Sequence, residues 1–312
     1  MREEETTQMT STLERPVKAP AFQGVSLRRK LTNHFATVLV TLSLLVALIP
    51  LVWVLYSVIV RGWAALSSPT WFTNSQAGMT TFTAGGGAYH AIIGTLLQGL
   101  VCSLISIPIG VMVGVYLVEY GGGTRLGKIT TFMVDILTGV PSIVAALFIY
   151  ALWVATLGFG RSGFAVSLAL VLLMIPVIVR ATEEMLRIVP MDLREASYAL
   201  GVPKWKTIVR IVIPTALSGI VTGIMLALAR VMGETAPLLI LVGYAQAMNF
   251  DMFGGFMGSL PGMMYDQISA GAGANPVPTD RLWGAALTLI LLVALLNVGA
   301  RAVAKFFSPK KV

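Results

Sequence analysis

The stretch REASYALGVPKWKTIVRIVIPTALSGI, residues 194–220, sets Arg194, Lys204, Lys206 and Arg210 between two long apolar runs. Just before and within it, Asp192 and Glu195 stand three apart, the spacing of a capping box, with Asp192 accepting from the first-turn amides. Gly201 stands where a residue of positive φ closes a helix, and Pro203 follows as a stop. The spacing predicts a helix over 193–200, with Ala196, Ser197 and Ala199 forming a face of small side chains. Two turns of helix are unstable alone, so this one must dock against something. Lys204, Lys206 and Arg210 then open a second basic helix that runs through Pro214 into apolar sequence.

The solvent around that interruption follows from composition. The chain is 56% hydrophobic and only 12% charged, about half the charged share of an ordinary globular domain. Apolar stretches long enough to cross hydrocarbon recur along it, at about 34–60, 88–118, 129–157, 163–182, 214–244 and 282–304. The expected fold class is therefore all-α: a polytopic membrane protein of six transmembrane helices with a short helix between the fourth and fifth. Residues 1–27 are polar and aperiodic and read as a disordered tail, leaving 28–312 as the membrane domain. The run 36–60 exceeds a signal-peptide core and reads as a retained anchor, about 38 Å long at 1.5 Å per residue. The net charge of +8 does not point to nucleic acid, because the basic residues lie beside apolar runs. A single cysteine, Cys102, forbids an internal disulfide.

Orientation follows from where the cations fall. Arg28, Arg29, Lys30, Arg125, Lys128, Arg187, Arg194, Lys204, Lys206, Arg210, Arg301 and Lys305 lie on one side of the six spans. Only Arg61, Arg161 and Arg281 lie on the other, so both termini are expected in the cytoplasm. The last outer loop, about 245–281, is rich in Gly, Met and Pro; it is either a small folded cap or a loose linker.

A specific resemblance enters at the basic interruption. Glu195-Ala196-Ser197, three residues, Gly201, nine residues, then Ile211-Val212-Ile213-Pro214 closely resembles the EAA loop of ABC-type importer permeases, here within 183–213. Ser197 replaces an alanine of that pattern and Ile213 a leucine. In that family the loop forms a coupling helix that fits a groove in a cytoplasmic ATPase subunit. The resemblance therefore assigns ATPase coupling to Glu195, Ala196, Ser197, Gly201, Pro203 and Pro214. PIGVMVGVYLVEYGG (108–122), LTGVPSIVAALFIY (137–150), ARVMGETAPLLILVG (229–243) and WGAALTLILLVALLN (283–297) are similar to the PstA-type permeases of phosphate importers. That likeness implies a bacterial inner membrane protein. It further implies a PstC-type permease partner, an ATP-binding-cassette ATPase dimer, an external phosphate-binding protein and inorganic phosphate as cargo. It implies no enzyme activity and no cofactor in this chain, since ATP and Mg²⁺ belong to the ATPase.

Charges inside spans are the remaining candidates. Arg230 and Glu234 lie well inside the expected fifth span, four residues apart and so on one helix face. An arginine at helix centre costs roughly 2.5–3.5 kcal/mol on insertion scales, so it needs a partner or a water-filled path. Either the two form a structural ion pair, or Arg230 offers its fork to an oxyanion while Glu234 accepts from a substrate that still carries a proton. Near neutral pH phosphate carries one and sulfate does not. Asp135 is a second substrate-path candidate beside Pro141 and Ser142, or else an interfacial carboxylate.

GGTRLGK, 122–128, matches phosphate-loop spacing, but Ile129 occupies the magnesium-binding hydroxyl position and the segment follows a membrane helix. Gly110-x3-Gly114 and Gly219-x3-Gly223 read as close helix packing. His34 and His90 lack metal-ligand spacing. Competing readings are a sulfate or molybdate permease, a proton-coupled secondary transporter using Arg230, Glu234 and Asp135, and a signalling scaffold.

Overall fold

A computed structural model describes residues 26–307; the expected disordered tail falls almost wholly outside them. Among the described residues the chain is helical, with no strand beyond one isolated bridge between Ala272 and Asn275. It divides into a first unit ending at Leu55 and a second running from Tyr56 onward. The first unit is the leading part of α1 (Leu27–Leu66), whose large apolar side chains are exposed along its length, as lipid-facing residues are.

The second unit holds the helical bundle. Its long helices are α2 (Tyr89–Glu119), α5 (Gly163–Ile188), α7 (Lys204–Met232) and α10 (Pro276–Phe307). The most buried is α5, which lies between α2 and α7. Small residues let the backbones close in. A Cβ on Gly110 or Gly114 would meet Ile178 or Thr182 of α5 at 2.7 Å, and one on Gly219 or Gly223 would strike Met185 or Ala181. In lipid, where burying Leu against Leu gains little, such close approach is what drives helix association.

Two expected spans are broken. The segment 129–157 is α3 (Arg125–Thr138) and α4 (Ser142–Ile149, continuing as a π-turn through Thr156), meeting at 106°. Pro141 explains the corner: it lacks an N–H, and its ring disfavours helical geometry at Val140. The expected span 214–244 ends at Met232, and the chain restarts as α8 (Ala236–Leu241). Pro237 cannot donate to Gly233, so α7 cannot pass through, while a proline suits the first turn of a new helix. Four apolar residues, Ala146 and Ile149 of α4 with Leu238 and Leu241 of α8, share one core, so the segments beyond the two breaks pack together. At its start α7 contains a π-turn, Ile208–Val212, next to Pro214, whose missing N–H frees a carbonyl in the preceding turn.

The two ends of the bundle differ. At one end α6 (Met191–Ala199) follows α5. At the other, residues 67–88 and 242–275 fold as a cap that includes α9 (Leu260–Ser269). Trp71 donates to Thr288 at 2.9 Å, the Gln76 amide to Gln246 at 3.1 Å, and the Leu260 amide to Thr95 at 2.8 Å. Of the two readings of the 245–281 loop, the folded cap is the one observed. Arg281, one of the three cations on the sparsely charged side of the spans, is only 4% exposed and donates to the carbonyls of Thr80, Thr83 and Gly85. The segment α3–α4 enters beside Gly121 at the α6 end and leaves at Ser162, whose amide donates to Leu241 at the cap end. Despite its corner, it crosses the bundle once.

Candidate functional site

The α6 helix is a clamp with one dry face and one bare face. Pro190, in extended geometry with ψ 139°, precedes it, and no side chain caps its first turn. The expected capping box is therefore absent: the helix begins two residues early, and Asp192 lies inside the first turn, where its charge still favours the helix dipole. The far end is as expected. Gly201 has φ +75°; its amide donates to Tyr198 at 2.9 Å and that of Val202 to Ser197 at 3.2 Å, a Schellman closure.

The dry face is Arg194 and Ser197. Arg194 pairs with the Glu119 carboxylate at the end of α2 and donates to the Leu186 carbonyl of α5 at 2.9 Å. Ser197 shares a 2.8 Å hydrogen bond with Thr207 of α7. Lys204 donates to the Glu119 carbonyl and sits over the Tyr120 ring, 4.7 Å from its centre. Thus α6 is tied to three long helices at once. The face turned away from the bundle carries Asp192, Glu195, Ala196 and Ala199, all exposed; by helical spacing Met191 and Tyr198 flank it on one side and Leu193 and Leu200 on the other, with Leu200 83% exposed. Pro203, exposed, starts the next helical turn, and Pro214 lies in α7. The Arg194–Glu119 pair was not legible in the sequence, where the two lie 75 positions apart.

A second charge group lies near the same end. Asp135 of α3 pairs with Arg180 of α5; Arg180 donates to Glu183 at 2.7 Å, and Arg187 donates to Glu183 at 2.5 Å. Asp135 is therefore tied to α5, with Ser142 half-buried beyond the 106° corner. The adjoining recess is lined by Gly123, Lys128, Thr131, Asp135 and Arg187. Within it the phosphate-loop mimic is a helix start: Thr124 accepts from the Gly127 amide and caps α3.

Arg230 and Glu234 are not an i,i+4 helical pair. The helix ends between them, Glu234 lies in the turn whose amide donates to Val231, and no ion pair joins them. Arg230 is exposed at the last turn of α7 and, among the described residues, makes no side-chain hydrogen bond or ion pair. Glu234, half-buried, lines a separate narrow recess with Thr95, Gln98, Met232 and Ser259. The substrate-path candidates thus fall into two places: Asp135 and Ser142 at the α3–α4 corner, Arg230 and Glu234 around the α7–α8 break. Among the described residues no group of His, Cys, Asp and Glu has the arrangement of a metal site.

Comparison with known proteins fits this geometry. Residues 106–312 match the family described as "Binding-protein-dependent transport system inner membrane component". The chain is 55% identical over 301 residues to the "Phosphate transport system permease protein PstA 1" of Mycobacterium tuberculosis (strain ATCC 25618 / H37Rv), covering 96% of both. It is 39% identical over 285 residues to the "Phosphate transport system permease protein PstA" of Pasteurella multocida (strain Pm70), covering 91% of this chain and 96% of that protein. Among solved structures, a chain of a bacterial ABC transporter involved in the import of alginate aligns at TM-score 0.59 and 13% identity, covering 89% of this chain and all of that one. A chain of the MetNI methionine ABC transporter aligns at TM-score 0.54 and 20% identity, covering 71% and 94%. These two likenesses concern the fold alone.

Proposed function

The chain belongs to the family of binding-protein-dependent transport system inner membrane components, and from that premise we propose that it is the membrane-spanning permease subunit of an ATP-driven phosphate importer. The observation that carries the reading is α6, pinned on one face by Arg194 and Ser197 and bare on the other, where Glu195 and Ala196 lie exposed between apolar flanks. An ATP-binding-cassette subunit is the partner for that bare face, and it places α6 in the cytoplasm. The chain itself hydrolyses nothing; ATP and Mg²⁺ belong to the partner. A second permease of PstC type completes the path, and an extracytoplasmic phosphate-binding protein delivers cargo to the cap. The near full-length identity to phosphate permeases supports phosphate as that cargo.

The mechanism is mechanical at one end and electrostatic at the other. A push on α6 moves α2 through Glu119 and α5 through Leu186, because both are bonded to the same buried guanidinium. The Asp135–Arg180 pair joins α3 to α5, so the corner above it follows the same motion. Arg230, unpaired among the described residues, offers two parallel donors to an oxyanion. Glu234 accepts from a P–OH and repels a fully ionised sulfate. The test is reconstitution with the two permeases, the ATPase pair and the binding protein in proteoliposomes. ATP-dependent phosphate uptake that excess sulfate does not inhibit is expected; uptake without ATP, or preferential uptake of sulfate, overturns the reading.

A further inference from the structure

Gln98 stands on α2 about two turns from the end that meets the 67–88 and 242–275 cap and is 3% exposed, yet among the described residues its side-chain Nε2 has no hydrogen-bond partner. Most buried donors are paired, because leaving one bare forfeits its hydration for nothing. The side chain lines the recess shared with Glu234, Thr95 and Ser259. Its polar neighbours there are already engaged. Thr95 Oγ1 donates to Ala91 and accepts from the Leu260 amide, and Ser259 Oγ accepts from the Gly262 amide. Gly99, one residue on, leaves the floor open toward Met232, which a Cβ there would meet at 3.6 Å. The recess is therefore lined by both an unpaired carboxamide donor and a carboxylate acceptor.

That pairing matches the two edges of a partly protonated oxyanion: an ionised P–O that accepts and a P–OH that donates. We propose that Gln98 is a specificity-determining residue of the transport path, its carboxamide donating to the anion whose hydroxyl is read by Glu234. This rests on the phosphate-permease reading above and extends it to a residue on a helix remote in sequence from Arg230 and Glu234. The recess is narrow in this conformation, so the contact forms as the helices around the α7–α8 break part.

The experiment uses the complete reconstituted complex and reads KM and kcat for ATP-dependent phosphate uptake together with the melting temperature of the complex. Gln98→Leu and Gln98→Met keep the volume and remove the donor. Both should lower kcat/KM roughly tenfold or more, the worth of one good hydrogen bond, while the melting temperature holds or rises because an unpaired amide has gone. Gln98→Glu should lose more, since a second carboxylate beside Glu234 repels the anion. Uptake within twofold of wild type in either apolar variant overturns the proposal. So does a loss matched by a lower melting temperature in both, which would make Gln98 a packing residue. If the wild-type complex carries a different anion, the phosphate reading fails, and the same variants decide the donor role with that anion.

Discussion

Arg230 is the residue whose environment says most about its work. An arginine in a membrane-spanning helix is normally neutralised by a neighbour, but here the helix stops before Glu234 and leaves the guanidinium unpaired among the described residues. Charge and fork together are then available to an anion. Arg230→Gln is expected to abolish phosphate uptake while the complex still assembles, and Arg230→Lys to retain part of it, because an ammonium keeps the charge but not the bidentate geometry. The double variant Arg230→Gln, Glu234→Gln should stay inactive, since there is no pair to rebalance. Recovery of uptake in the double variant would show that the two residues merely neutralise each other.

The α6 helix behaves as an element because one buried ion pair holds it. Glu119→Gln leaves Arg194 buried and uncompensated, and breaking such a pair costs about 3–5 kcal/mol. ATPase co-purification should fall accordingly. The double change Arg194→Met, Glu119→Leu removes both charges and should restore much of the complex yield. A Glu119→Gln complex as stable as wild type would mean that the pair does not anchor α6. At the opposite end the cap carries Asp266, whose carboxyl burial pushes above the usual range, partly offset by hydrogen bonds from Gln246 and Gln267 and by the Arg281 charge. A carboxyl with a raised folded pKa binds its proton more tightly when folded. Its stabilising contribution is present below the ordinary carboxylate pKa and is lost as pH rises through the raised value. Asp266→Asn should therefore raise the melting temperature of the cap at pH 7.5 and flatten its decline between pH 4 and pH 7.5. Hydrogen exchange within residues 260–269 reads both effects, and an unchanged pH slope would contradict the assignment.

For the whole molecule, topology turns on the broken segment α3–α4. Since it crosses once, α2 and α5 both run from the cap end to the α6 end, and the cap is expected outside the cell if the α6 end meets the ATPase. Single cysteines at Ser75 and Ser269, in the cap, should react with an impermeant thiol reagent added to intact cells, and one at Gly122 should react only after permeabilisation. Labelling of all three from outside would overturn this arrangement.

The helical, membrane-spanning character of the chain and the Gly201 closure were determined by the sequence alone, because each depends on local properties: runs of apolar residues, and a glycine that alone tolerates φ +75°. The glycine pairs at 110/114 and 219/223 were legible for the same reason. Local signals also marked the breaks, Gly139-Val140-Pro141 and Gly233 with Pro237, though hydropathy averaged over the window ran straight through them. The polar partnerships were decided only by tertiary structure. Arg194 meets Glu119 across 75 positions and Arg180 meets Asp135 across 45, while Gln98 reaches the recess of Glu234 with its amide unpaired. A charge finds its partner through whichever helices pack side by side. In lipid that choice is made by backbones closing over small residues far apart in the chain, which no window of the sequence contains.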